Sequence, residues 1–237
     1  MSSELTTTKI LPPDAFVDDG NIEIDLLLCD GKTGVWSYGI DKDEVPIGTQ
    51  AVAMVDQILK GFVRFDEGGP TRRFLPIWPT PDLHALRQSL GDLDEAMWPD
   101  RNAKGGAQDP WRPARQLPVI LIRKTLDCLV YSTSSHGGVI AVSQLSRAVQ
   151  HERRDPENAT ALPIVTLDVD SYTQQKFGKI YTPVLDIMRW TTHSAVAEMM
   201  RTGDFNRLAD DTDDDDGDRY REETKRPAKV APKPTRR

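Results

Sequence analysis

The chain has 237 residues, of which 38% are hydrophobic, and a formal net charge of −7. That length suits one large domain or two small ones, and the acidic balance argues against extensive binding to duplex DNA. No apolar run approaches the roughly 20 residues of a membrane-spanning helix, and Cys29 and Cys128 stand alone, as buried thiols of a cytoplasmic protein do.

Residues 1–20 read as disordered, with Thr6-Thr7-Thr8, Pro12-Pro13 and Asp18-Asp19-Gly20 and no signal-peptide pattern. Ile22, Ile24 and Leu26 alternate with Glu23 and Asp25, which predicts an entering strand over 22–28. Asp30–Gly34 is a turn, after which Val35–Gly39 pairs back. Gly31-Lys32-Thr33 lacks the spaced first glycine and the following helix of a phosphate loop. A strand at Gln57–Phe65, a loop through Asp66-Glu67-Gly68-Gly69-Pro70 and a strand at Arg72–Trp78 predict a hairpin with a long tip. Pro76 confines its second strand to an edge or bulge.

Residues 79–117 read as a long excursion with a short helix over Pro81–Leu90; loops of that length are commonly functional. A second hairpin follows at Pro118–Arg123 and Cys128–Thr133. Ser134-Ser135-His136-Gly137-Gly138 then leads into a helix whose apolar positions Val139, Val142, Leu145 and Val149 recur at spacings of three and four. Leu162–Val169 is a strand, Ser171–Gly178 a polar connection, and Lys179–Trp190 the last strand. Thr192 caps a closing helix over Ser194–Arg201, and Gly203 ends it.

Beyond it, residues 204–237 read as a disordered tail. Asp210, Asp211, Asp213, Asp214, Asp215, Asp216 and Asp218 form an acidic block with nothing apolar to bury. The sign then reverses with Arg219, Arg221, Lys225, Arg226, Lys229, Lys233, Arg236 and Arg237. Such an acidic block imitates a phosphate backbone or recruits basic partners; a solubilising tail has the same composition. Within the body, positive charge concentrates in residues 101–154, with 9 basic and 3 acidic groups, enough for a local phosphate-holding surface.

The order of hairpin (57–78), excursion, strand (128–133), helix (139–151) and two strands predicts a mainly β, α+β fold. It is that of an OB-fold-like five-stranded barrel with a helix between strands three and four. The strands at 22–28 and 118–124 would be additions to it, and residues 21–203 one domain. An unrelated α+β sandwich is the rival arrangement.

Tyr172, Lys176-Phe177-Gly178-Lys179-Ile180-Tyr181-Thr182-Pro183-Val184-Leu185-Asp186-Ile187 and Trp190 form a stretch that resembles the close of a family of phage-encoded proteins. Gly34–Gly39 and Thr133–Gly138 resemble the same family, so the likeness spans residues 31–190. It implies no catalytic residue. A strand-rich barrel with an acidic tail is also similar to phage single-stranded DNA-binding proteins. This chain departs from the bacterial versions, whose tails end on a short hydrophobic tip, since it ends Pro234-Thr235-Arg236-Arg237. The resemblance implies single-stranded DNA as partner, a place in phage or prophage replication or recombination, and replication or recombination proteins as partners of the tail.

The residues themselves point the same way. Aromatic and basic side chains interleave at Lys60, Phe62, Arg64 and Phe65, at Arg72, Arg73, Phe74 and Trp78, and at Tyr172, Lys176, Phe177, Lys179 and Tyr181. Bases stack on aromatic faces for about 1–3 kcal/mol each while cations follow the phosphates; Arg112 and Arg115 extend the cationic set. Core aromatics beside solvated charges would leave the same pattern. Ser134–Gly138 suits an anion at a helix N-terminus and equally a plain N-cap. Asp168 and Asp170 form a D-x-D that suits Mg²⁺ or a turn cap. Histidines 84, 136, 151 and 193 have no metal-ligand spacing, and no nucleophile elbow, Walker loop or dinucleotide fingerprint is present. The sequence therefore predicts a non-enzymatic protein with no cofactor; a structural or adaptor protein is the second reading and a nuclease the third.

Overall fold

Side-chain alternation builds most of this chain. The computed structural model, which describes residues 25–98, 100–101, 107–123 and 126–202, assembles the strands into a ten-stranded sheet with three helices and a separate two-stranded ribbon. β1 (Leu26–Cys29) and β2 (Trp36–Tyr38) form a hairpin whose turn is held by Asp30: its Oδ1 accepts the Lys32 N–H at 2.7 Å and its carbonyl accepts the Gly34 N–H at 2.8 Å. β3 (Asp43–Val45) and β4 (Thr49–Ala53) follow, then the hairpin of β5 (Leu59–Asp66) and β6 (Gly69–Pro76). The excursion contains α1 (Leu83–Ser89), capped by the Asp82 carboxylate on the Ala85 N–H, and the ribbon β7 (Asp100–Arg101) with β8 (Ala107–Gln108).

β9 (Arg112–Ile122) is the organising strand. Its apolar run Leu117–Leu121 is buried on both faces, as a central strand requires. It pairs with β10 (Leu126–Thr133) along one side. On its other side it pairs with β4 near its C-terminal end and with β5 along its N-terminal half. After β10 come α2 (His136–Glu152), the long hairpin of β11 (Leu162–Gln174) and β12 (Gly178–Thr191), and α3 (His193–Thr202). The main path is β12-β11-β4-β9-β10-β1-β2-β3, and β6 is an outer strand that, among the described residues, bonds only to β5. Every pairing is antiparallel except β1 with β10.

Paired residues share a face. One face gathers Leu27, Trp36, Leu117, Leu121 and Tyr131, onto which α2 lays Val142, Leu145 and Val149; Val52, Ile120 and Ile164 are buried on the other. Trp36 and Tyr131 meet at 5.1 Å between ring centroids, a tilted pair that adds about 0.5–1.5 kcal/mol beyond its buried area. The sheet curls on itself. The β1–β2 hairpin, near one end of the path, reaches β11 and β12 at the other. Tyr181 N–H donates to Gly31 O at 2.8 Å and Trp36 Nε1–H to Asp168 O at 3.3 Å.

Mainly β with a helix between β10 and β11 matches the expected class, but several assignments change. The 118–124 strand is central rather than an addition, because its apolar run serves both faces. The 57–78 hairpin has a tight tip, with Asp66 pairing with Gly69, since Glu67-Gly68 suffices as a two-residue turn. Residues 171–174 and 178 belong to the β11–β12 ladder rather than to a connection. The excursion stops at β9, so Arg112 and Arg115 are strand residues. The expected disorder at 1–20, the first residues of the 22–28 strand, Gly203 and the tail lie outside the described residues.

Candidate nucleic-acid interface

The wing formed by β5, β6 and the N-terminal half of β9 carries most of the predicted cations. Gly61 sets its construction. A Cβ there would stand 1.9 Å from the Arg73 carbonyl oxygen, so only glycine lets β6 come this close. Register divides the side chains. Lys60 pairs with Arg115 and Leu75, and Phe62 with Pro113 and Arg73, while Arg64 pairs with Thr71; these share one face. Arg72 and Arg112 both pair with Val63 and lie on the opposite face.

Charge is balanced unevenly along the wing. Arg64 is neutralised locally, its Nε 2.7 Å from Asp66 and its Nη1 2.6 Å from Asp92. Arg112 lies over the Phe65 ring at 5.9 Å from its centroid. It borders a cleft of about 610 Å³ whose walls include Leu93, Met97 and Trp98 from the excursion. Among the described residues, Lys60 and Arg115 have no such compensation. Arg115 donates from Nη1 to Ala114 O at 2.8 Å, but its Nε is buried without a hydrogen-bond partner. Burial first, then the charges of Arg115 and of Arg147 on α2, hold the Lys60 ammonium below the ordinary lysine range. Burial likewise lowers Arg115. Trp78, just past β6, is about half exposed.

The second cluster sits at the tip of the β11–β12 hairpin. Tyr172, Lys176, Phe177 and Lys179 are exposed. Lys176 Nζ lies 5.2 Å from the Phe177 ring centroid and Lys179 Nζ 4.6 Å from that of Tyr181. Tyr172 pairs with Ile180 and Tyr181 with Ser171, so the two tyrosines face opposite ways. The Tyr181 ring is occupied by the β1–β2 turn: a Cβ on Gly34 would come within 2.7 Å of its Cδ1. The antiparallel registers send the wing and this tip in opposite directions from the shared β4–β9–β11 level. At ~3.3 Å per residue they stand roughly 40 Å apart along the strands. They are two surfaces, not one patch.

The remaining candidates are locally satisfied. Ser135 Oγ accepts the Gly138 N–H at 3.1 Å, and Thr133 Oγ1 and Tyr131 OH crowd the space beside Gly138, so the start of α2 is an N-cap. Asp168 and Asp170 each accept the N–H of the following residue, at 2.7 and 2.6 Å. No group of three or more metal-ligating side chains occurs among the described residues. Sequence alone gives Arg147 no special place, because it falls outside the apolar stripe of α2. Only the packing of α2 against β9 brings it near Lys60. Comparisons of the chain with protein-family models, curated proteins and solved structures find no match.

Proposed function

We propose that this is a non-enzymatic single-stranded DNA-binding protein, of phage or prophage replication or recombination, that binds through the β5–β6–β9 wing. The observation that carries the reading is the face shared by Lys60, Phe62, Arg73 and Arg115, where unpaired cations flank an accessible aromatic ring. Single-strand binders combine these two features: a cationic track for the backbone and aromatic faces for the bases. The path β12-β11-β4-β9-β10 with α2 between β10 and β11 supports an OB-like reading of the barrel. The acidic block at 210–218 competes with the strand for these cations, or engages a basic replication partner. The test is a gel-shift titration of the full chain with oligothymidylate and with duplex of equal length at several salt concentrations. Single-strand preference with affinity falling steeply in salt supports the reading. Absence of binding at low salt rejects it, and favours a protein-interaction role for the cleft rimmed by exposed Phe65, Leu93 and Met97.

A further inference from the structure

Two cations adjoin on this sheet, and a third acts on them from the helix above. Lys60 and Arg115 are direct cross-strand neighbours on β5 and β9, and α2, packed on β9, brings Arg147 into their field. Like charges placed directly opposite in a sheet destabilise it, and a carboxylate among them would remove the cost. None is there: among the described residues Lys60, Arg115 and Arg147 make no ion pair. Other cations of the body are balanced, Arg64 by Asp66 and Asp92, Arg87 by Asp109 and Arg153 by Asp56. Arg115 also keeps a buried Nε–H that no acceptor among the described residues takes. A half-buried guanidinium with an unused donor and a partly buried ammonium project side by side from two strands, and a helix packed on the same strand adds an exposed arginine. That is the chemistry of a tetrahedral oxyanion site.

We infer that Lys60, Arg115 and Arg147 form a seat for a single phosphate group, and that Arg147 of α2 is a binding residue. Resting on the nucleic-acid reading above, the occupant is one phosphodiester of the bound strand. The Phe62 ring, two residues along β5 on the same face, stands where the adjoining base stacks. The seat fixes the strand's position on the wing, and the flanking Arg73 follows its backbone.

Two measurements on the full chain test this, with Arg147→Gln and Lys60→Gln as variants. Arg147 is exposed, so its replacement leaves the core intact. The first measures thermal unfolding in 20 mM inorganic phosphate against chloride of equal ionic strength. Phosphate should raise the wild-type Tm by about 2–4 °C, the shift that ~1 kcal/mol of ligand linkage gives a domain of this size. Both variants should lose most of that gain, and neither should melt lower than wild type in chloride, because each removes a repulsion. The second measures oligothymidylate affinity against salt; each variant should flatten the slope by about 0.7, one phosphate contact. An equal phosphate gain in all three proteins with unchanged slopes overturns the seat, while oligothymidylate binding itself keeps the nucleic-acid reading. A phosphate gain lost in the variants, with no oligothymidylate binding by any protein, upholds the seat as a site for free phosphate and overturns the strand as its occupant.

Discussion

Replacing Tyr181 by alanine opens the seam where the curled sheet meets itself. The Tyr181 ring lies against Gly34, and its own N–H donates to Gly31 O at 2.8 Å. A fully buried aromatic cut back to alanine costs about 3–5 kcal/mol. Tyr181 is partly exposed, so about 1.5–2.5 kcal/mol is expected, a fall in Tm of roughly 3–10 °C for a domain of this size. Gly34→Ala attacks the same seam from the other side. Its φ of +75° makes any side chain cost about 1–2 kcal/mol, and the new Cβ would meet Tyr181 Cδ1 at 2.7 Å. That clash disappears in the double variant while the backbone cost stays. The pair should therefore be less destabilised than the sum of the singles, by about 1 kcal/mol, when urea denaturation closes the double-mutant cycle. Phe177→Ala is the control: that ring is 59% exposed, and its loss should change stability by less than about 0.5 kcal/mol. Additive singles would refute the seam. Unchanged melting of Tyr181→Ala with weakened oligothymidylate binding would make Tyr181 a stacking residue instead.

Gly61→Ala should cost more than about 3 kcal/mol in denaturant titrations, because a Cβ 1.9 Å from a backbone oxygen can be relieved only by parting β5 from β6; near-wild-type melting would contradict that close approach. Asp56 ties the end of α2 to the turn before β5, accepting from Arg153 Nη2 at 2.9 Å, and the Arg153 hydrogen bond, aided by its charge and by His193 against the opposing effect of burial, holds its carboxyl below the ordinary range. A depressed carboxyl stabilises the fold above its unfolded pKa of about 3.9, and that contribution is lost as pH falls through the lower folded value. Asp56→Asn should therefore melt lower than wild type at pH 7, and the gap should close on acidification below about pH 4. A gap independent of pH would assign the loss to packing.

Periodicity made the elements legible where one face is buried and one is not. The spacing of Val142, Leu145 and Val149 gave α2 its buried stripe, and Thr192 marks the start of α3, where its Oγ1 accepts the Ala195 N–H at 3.2 Å. It was less informative where both faces are covered. The run Val119–Ile122 reads as a strand, but nothing in it says that the strand lies at the centre, bonded to β4, β5 and β10. Polar composition misled at Ser171–Gln174, since a hairpin projecting from the body needs no apolar face to stay paired. The grouping of the candidate residues was legible only in part. Interleaving located Lys60, Phe62 and Arg73, and period two put the first two together. Cross-strand register then separated Arg72 and Arg112 from them and joined Arg115. Arg147 required tertiary packing.

Folding alone gives no reason for Lys60, Arg115 and Arg147 to share a location. Core burial and ladder hydrogen bonds stabilise β5 and β9 whether position 60 is lysine or a neutral residue, and a chain with 37 acidic groups has carboxylates in excess. Three of its other arginines show how these can be used: Arg64, Arg87 and Arg153 each hold an aspartate within 3 Å. Under the proposed seat, an arriving anion offsets the cost of three cations that are unpaired among the described residues. The wing's other features then follow from the same requirement. Gly61 brings β6 in close so that Arg73 flanks the seat, and Phe62 offers a ring beside the anion rather than in the core. Roughly 40 Å of strand separates this surface from the Tyr172–Phe177 tip, more than a short oligonucleotide held at the seat would cross. On the proposed reading, wing and tip would serve either one long strand or two different partners, and competition between oligothymidylates of increasing length distinguishes these: one long strand makes the effect of Phe177→Ala grow with oligonucleotide length, and separate partners leave it at zero throughout.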